Sequence, residues 1–157
     1  MHQEQGVSTR DQPGTILVVD DDEGVRRVLA LWVESLGHSV VVAADAAEAM
    51  KVLGECEIDV ALCDVQMPGR DGIWLFERIQ SQSPGTSVAF LTGLGELDAR
   101  VTLRPGVVGY LVKPFNRPDL GRLILRGLEE RRARGPRGPA HRSLPEGAIE
   151  GTVVARS

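Results

Sequence analysis

At 157 residues and 42% hydrophobic content, the chain can build one ordinary domain with a real core but not two. Its formal charge of −4 is uneven: residues 122–142 hold seven Arg against two Glu, so the remainder is strongly acidic, which disfavours nucleic-acid binding and suits a cation site. Residues 1–13 lack a signal-peptide core, and no stretch approaches the roughly 18 uninterrupted apolar residues of a membrane span, so a cytoplasmic protein without a membrane partner is expected.

Residues 1–13 read as a disordered lead-in ended by Pro13-Gly14. Ile16–Val19 is a β-branched run that ends in Asp20-Asp21-Asp22, and so forms a first strand delivering acid to its carboxyl end. Val25, Val28, Leu29, Trp32 and Leu36 then recur at helical spacing, with Gly37 as the stop. Ser39–Ala43 reads as a second strand. Asp45 with Glu48 makes a capping box, and Ala46, Ala49, Met50 and Leu53 form the inner stripe of a second helix.

The stretch from Ile58 to Asp64 is a short apolar run bounded by the turn residues Met67-Pro68-Gly69 and Asp71-Gly72. It suits a strand buried on both faces, with Asp64 at its end. Ile73, Phe76 and Ile79 mark a third helix closed by Ser83-Pro84-Gly85, and Trp74 falls off that stripe toward solvent. A fourth strand, Ser87–Leu91, delivers Thr92. Gly93, Gly95 and Pro105 leave room for only a short or irregular helix around Glu96–Leu103. Val107–Val112 forms a fifth strand ahead of Lys113-Pro114. Asn116 with Asp119 caps a last helix, whose inner stripe is Leu120, Leu123, Ile124 and Leu128. That helix also contains Gly121 and Gly127, which weaken it by about 1 kcal/mol each relative to Ala. Residues 135–157 show no apolar period and read as a flexible Arg/Gly/Pro tail or linker, so one domain over 14–134 is expected.

Strands alternating with helices five times predict a doubly wound α/β fold with a parallel sheet, in which ligands bind beyond the carboxyl ends of the strands. Asp20, Asp21, Asp64, Thr92 and Lys113 would all meet on that rim. Three carboxylates there repel one another unless a cation joins them, and a hard ion such as Mg²⁺ takes such oxygen ligands. An ammonium and a hydroxyl opposite could hold two oxygens of a phosphoryl group, which leaves the central Asp64 as nucleophile for an aspartyl phosphate. Taken singly, these residues have ordinary readings as helix caps, turn starters or solvated charges; taken together they require five coincidences at one rim. Cys56 and Cys63 are too few for a zinc site and read as small reduced apolar residues, and His2, His38 and His141 are scattered.

Four motifs in order carry a resemblance: Ile16-Leu17-Val18-Val19-Asp20-Asp21 with Arg26 beyond, Asp64-Val65-Gln66-Met67-Pro68-Gly69-Arg70-Asp71-Gly72, Leu91-Thr92-Gly93, and Gly109-Tyr110-Leu111-Val112-Lys113-Pro114-Phe115. Over about 14–133 the chain resembles the receiver domain of two-component response regulators, of the single-domain, chemotaxis-regulator-like kind. The resemblance implies a flavodoxin-like sheet of order 2-1-3-4-5 flanked by five helices. It implies Mg²⁺ held by Asp20, Asp21, Asp64 and the backbone carbonyl of Gln66, and a sensor histidine kinase as donor to Asp64. It further implies a cis Lys113-Pro114 bond and a switch in which Thr92 moves toward the phosphoryl group and Tyr110 turns inward. That switch changes how the face of helix four, strand five and helix five binds a downstream protein, or a second copy in a phosphorylation-dependent homodimer. Gln66 and Leu94 stand where similar domains tune hydrolysis.

Such a domain is not an enzyme beyond catalysing its own phosphorylation and dephosphorylation. One competing reading is a haloacid-dehalogenase-like phosphatase with Asp20 as nucleophile, but the cap domain and second late acidic pair it needs are not found in the sequence. Another is a phosphorylation-independent scaffold, which the complete set of acid, hydroxyl and lysine argues against. Two departures from the family pattern stand out: the segment between Thr92 and Gly106 is slightly short and carries Pro105, and the last helix contains Gly121 and Gly127.

Overall fold

In the computed structural model, residues 12–93, 99–134 and 153–156 are described. Strands and helices alternate as β1 (Thr15–Val19), α1 (Glu23–Ser35), β2 (Ser39–Ala43), α2 (Ala46–Glu55), β3 (Val60–Asp64), α3 (Gly72–Gln82), β4 (Ser87–Thr92), α4 (Ala99–Thr102), β5 (Val107–Val112) and α5 (Arg117–Ala133), followed by β6 (Val153–Arg156). All strand pairs are parallel, and the sheet order is β5-β4-β3-β1-β2-β6. The first five strands therefore take the expected 2-1-3-4-5 order.

Side chains alternate across the sheet, and this builds two cores. Leu17 and Val19 point to one face with Val41, Ala61 and Cys63, where α2 and α3 supply Ala49, Leu53, Leu75, Phe76 and Ile79. Ile16 and Val18 point to the other with Val40, Val60 and Leu62, beneath Leu29 and Val33 of α1 and Leu120, Ile124 and Leu128 of α5. Of the two glycines of α5, Gly127 has a packing reason that sequence alone does not reveal. A Cβ on Gly127 would sit 2.8 Å from Val60 Cγ2, so this glycine lets α5 approach the sheet closely.

Each long helix starts at a side-chain cap, because the first N–H groups have no partner within the helix. Asp22 caps α1 through Val25 N–H at 3.1 Å, Asp71 caps α3 through Trp74 N–H at 2.9 Å, and Asn116 caps α5 through Asp119 N–H at 2.8 Å. Asp45 accepts from Glu48 N–H, and the Glu48 carboxylate accepts in return from Ala44 N–H, one residue before the cap.

Two expectations change. The first concerns 135–157, read as tail throughout: Val153–Arg156 instead pairs with β2 as a sixth strand, from Val40↔Val153 to Ala43↔Arg156. A four-residue strand has no periodicity to distinguish it from scattered aliphatics, and its partner lies over a hundred residues away in the chain. The second is Trp74, which is half-buried rather than exposed: it packs on the α2/α3 core with the guanidinium carbons of Arg70 and Arg78 at 4.4 and 5.7 Å from its ring centroid. The expected short helix is present as α4, one turn as described; Arg104 beyond it lies 4.8 Å from the Phe76 ring centroid, and Pro105 O accepts from Gln80 Nε2. Leu94 and residues 1–11 and 135–152 lie outside the described residues. Among those described, no helix is long and apolar enough to cross a membrane.

Candidate functional site

The carboxyl ends of β1, β3, β4 and β5 form one rim, because parallel strands in register finish together. Cys63 pairs with Val19, Asp64 with Leu91, and Thr92 with Val112, so Asp20, Asp64, Thr92 and Lys113 leave four strands at one level. The structure thus brings the predicted cluster together. Asp20 and Thr92 are fully buried and Asp64 nearly so, while Asp21 is exposed.

The three adjacent aspartates after β1 divide the work. Asp22 is the α1 cap. Asp20 turns inward, its Oδ1 accepting from Asp22 N–H at 2.9 Å and its Oδ2 lying 2.8 Å from Lys113 Nζ. Asp21 faces outward at the rim, and ligand oxygens of Asp20, Asp21 and Asp64 all lie within 4.8 Å of one another. That spacing suits three oxygen ligands on one hard cation.

Lys113 leans toward Asp20 but also reaches Asp64, with Nζ 3.5 Å from Asp64 Oδ1. The cis Lys113-Pro114 bond is present, and Lys113 N–H donates to Thr92 O at 2.7 Å, which joins the ends of β4 and β5. Gln66 N–H lies 3.4 Å from Asp64 Oδ1 as a long hydrogen bond. Tyr110 is 41% exposed, so it is partly open to solvent.

The electrostatics follow from burial. Asp64 is pushed up to about 6, first by desolvation and then by the charge of Asp20, against the pull of Lys113 and of Gln66 N–H. Burial would lower Lys113, yet its hydrogen bond to Asp20 and the two nearby carboxylates outweigh this and raise it. Two buried carboxylates thus share one ammonium, and with Asp21 they form a cluster that could hold a cation. Cys63, one residue before Asp64, is pushed up to about 12 by burial and by that carboxylate, so its thiol is inert as a nucleophile.

Two residues escaped functional assignment from sequence. Arg26 Nη1 donates to Asp20 O at 2.7 Å and fixes the loop that presents Asp20 and Asp21. Its position one helical turn after the Asp22 cap was the available signal. Gly72, the first residue of α3, packs against the backbone of Asp64: a Cβ there would meet Asp64 O at 2.4 Å and Val65 Cα at 3.0 Å.

Comparison with known proteins agrees with this geometry. Residues 16–125 match the response regulator receiver domain. The transcriptional regulatory protein GlrR of Escherichia coli (strain K12) is 38% identical over 120 residues, which is 76% of this chain but only 27% of GlrR. The chain therefore spans about a quarter of the length of that relative. A solved CheY-like receiver domain protein from Methanospirillum hungatei JF-1 is 30% identical with a TM-score of 0.73, covering 79% of this chain and 100% of that one. The receiver domain of sensor histidine kinase PA1611 from Pseudomonas aeruginosa PAO1 is 28% identical with a TM-score of 0.67, covering 75% and 99%, and was solved with a magnesium ion coordinated in its active site cleft. With the acidic rim, the lysine and the sheet order already in place, the chain belongs to the response regulator receiver domain family.

Proposed function

We infer that the chain accepts a phosphoryl group on Asp64 from a phosphorylated His of a sensor histidine kinase and passes the signal on by protein contact. One observation carries this reading: a nearly buried carboxylate at the end of a central strand shares one ammonium with a second buried carboxylate. An Asp64 oxygen attacks phosphorus, the P–N bond of the donor breaks, and its electron pair stays with the departing imidazole. Lys113, already 3.5 Å from Asp64, is placed to neutralise the transferred group, and the Thr92 hydroxyl leaves the neighbouring strand end. The chain contributes these groups to its own modification and turns over no free substrate.

Asp20, Asp21, Asp64 and the carbonyl of Gln66 would hold Mg²⁺. When bound, it supplies positive charge that stabilises the phosphoryl oxygens. The magnesium in the PA1611 receiver domain and the three carboxylates within 4.8 Å here support this assignment. A ligand at a hundredfold over its dissociation constant stabilises by roughly 2.7 kcal/mol, so Mg²⁺ should raise the melting temperature of the wild type, and Asp20→Asn should lose most of that rise. An equal rise in both would move the metal elsewhere.

The modification itself is tested by incubating the protein with Mg²⁺ and acetyl phosphate. Mass spectrometry should find one acid-stable, base-labile phosphoryl adduct, absent from Asp64→Asn; an equal adduct on that variant assigns another nucleophile. The partly exposed Tyr110 would turn in behind a displaced Thr92, which would alter the α4–β5–α5 face. Thr92→Ala is accordingly expected to accept the phosphoryl group yet lose most of the phosphorylation-dependent change in Tyr110 exposure, read by quenching of its fluorescence in a Trp-free background. An unchanged response would remove Thr92 from the switch.

A further inference from the structure

The phosphoacceptor site makes no use of the opposite edge of the sheet, beyond β2. This strand is Ser39-Val40-Val41-Val42-Ala43, with no charge, no proline and no bulge in its pairing to β1. Soluble proteins usually place such features on a strand that could become an edge, because an unprotected aliphatic edge pairs with other chains. Ser39 N–H donates to Gly14 O, and Ala43 O accepts from Asp20 N–H, so both residues turn their backbone groups toward β1. Backbone groups alternate along a strand, and hence Val40 and Val42 aim their N–H and C=O groups the other way.

Val153–Arg156 lies along that side, and its register places the Val154 backbone between Val40 and Val42. The strand lies beyond the family match, which ends at residue 125. It also makes a better outer edge than β2, being four residues long and ending in a charge.

We propose that the β2 edge is a self-pairing surface for a second copy of this chain, and that Val153–Arg156 is the intramolecular cap that keeps it closed. Antiparallel pairing about a two-fold at Val41 sets Val40 opposite Val42 of the second copy and the reverse. All four outward backbone groups of each edge are then satisfied, with no charged residue inside the paired segment. The cap prevails in the intact chain because residues 135–152 tether it to α5. A covalent link of such length holds a segment at an effective concentration on the order of millimolar, well above ordinary micromolar concentrations of a second copy.

The test uses the full chain. Val154→Pro removes the one N–H of the cap that faces Val40 and fits poorly in a paired strand. Light scattering should give a monomer for wild type and a doubled mass for the variant at the same concentration. On dilution of the variant to monomer, the amides of Val40 and Val42 should exchange at least about tenfold faster than in wild type, while those of Val41 stay protected by β1. A monomeric variant with fast exchange at all concentrations would overturn self-pairing, and a monomeric variant with slow exchange would overturn the cap. If Val154→Pro unfolds, the double variant Val153→Gly, Val154→Gly, which keeps every backbone donor but weakens the strand, gives the same readouts with the same meanings.

Discussion

Replacing Asp64 with Asn is expected to abolish phosphoryl acceptance and, in metal-free protein near about pH 8, to raise stability by about 2 kcal/mol. The second effect has the same cause as the first. Burial and the charge of Asp20 hold Asp64 at about 6 against an ordinary 3.8, so the fold favours the protonated carboxyl. A group raised in this way contributes stability that is fully present below 3.8 and is lost as pH rises through about 6. Asn carries no charge at any pH and escapes that loss. In denaturant melts with chelator, the variant should exceed wild type above about pH 7, and the gap should close toward zero as pH falls to about 4. A variant less stable than wild type at the higher pH would mean that Lys113 compensates the Asp64 charge fully. The excess negative charge needed for phosphoryl chemistry is thus a cost to the resting fold.

Gly72→Ala should lower stability by about 3 kcal/mol, a fall of roughly 10 °C in melting temperature for a domain of this size. The added Cβ would lie 2.4 Å from Asp64 O and 3.0 Å from Val65 Cα, and both neighbours are backbone atoms that no rotamer change can move aside. Relief requires α3 to shift from the end of β3, which also displaces the acceptor. Phosphorylation by acetyl phosphate should therefore slow in the variant fraction that remains folded. By contrast Gly54, whose Cβ would meet nothing within 4 Å, should tolerate Ala with no loss. A stable, normally reactive Gly72→Ala protein would show that the close approach of α3 to Asp64 has no role.

Much of this molecule was legible in residue order because its signals are local. The apolar period of two or 3.6 marks strands and helices, and Asp45, Asn116 and their partners three residues on mark helix starts. Strands that end in Asp20, Asp64, Thr92 and Lys113 must also share a rim once the sheet is parallel, so the membership of the site could be read without coordinates.

Tertiary structure alone decided how each member is placed there. Asp20, Asp21 and Asp22 are chemically identical in sequence, and only the path of the loop buries the first, exposes the second and makes the third a cap. Likewise, distance in three dimensions selects Asp20 as the nearer partner of Lys113, ninety-three residues away, and ties Arg26 to the Asp20 carbonyl. The sixth strand and the close fit of Gly72 and Gly127 were hidden for the same reason: they depend on contacts between segments far apart in the chain, where no periodicity reports what will lie alongside.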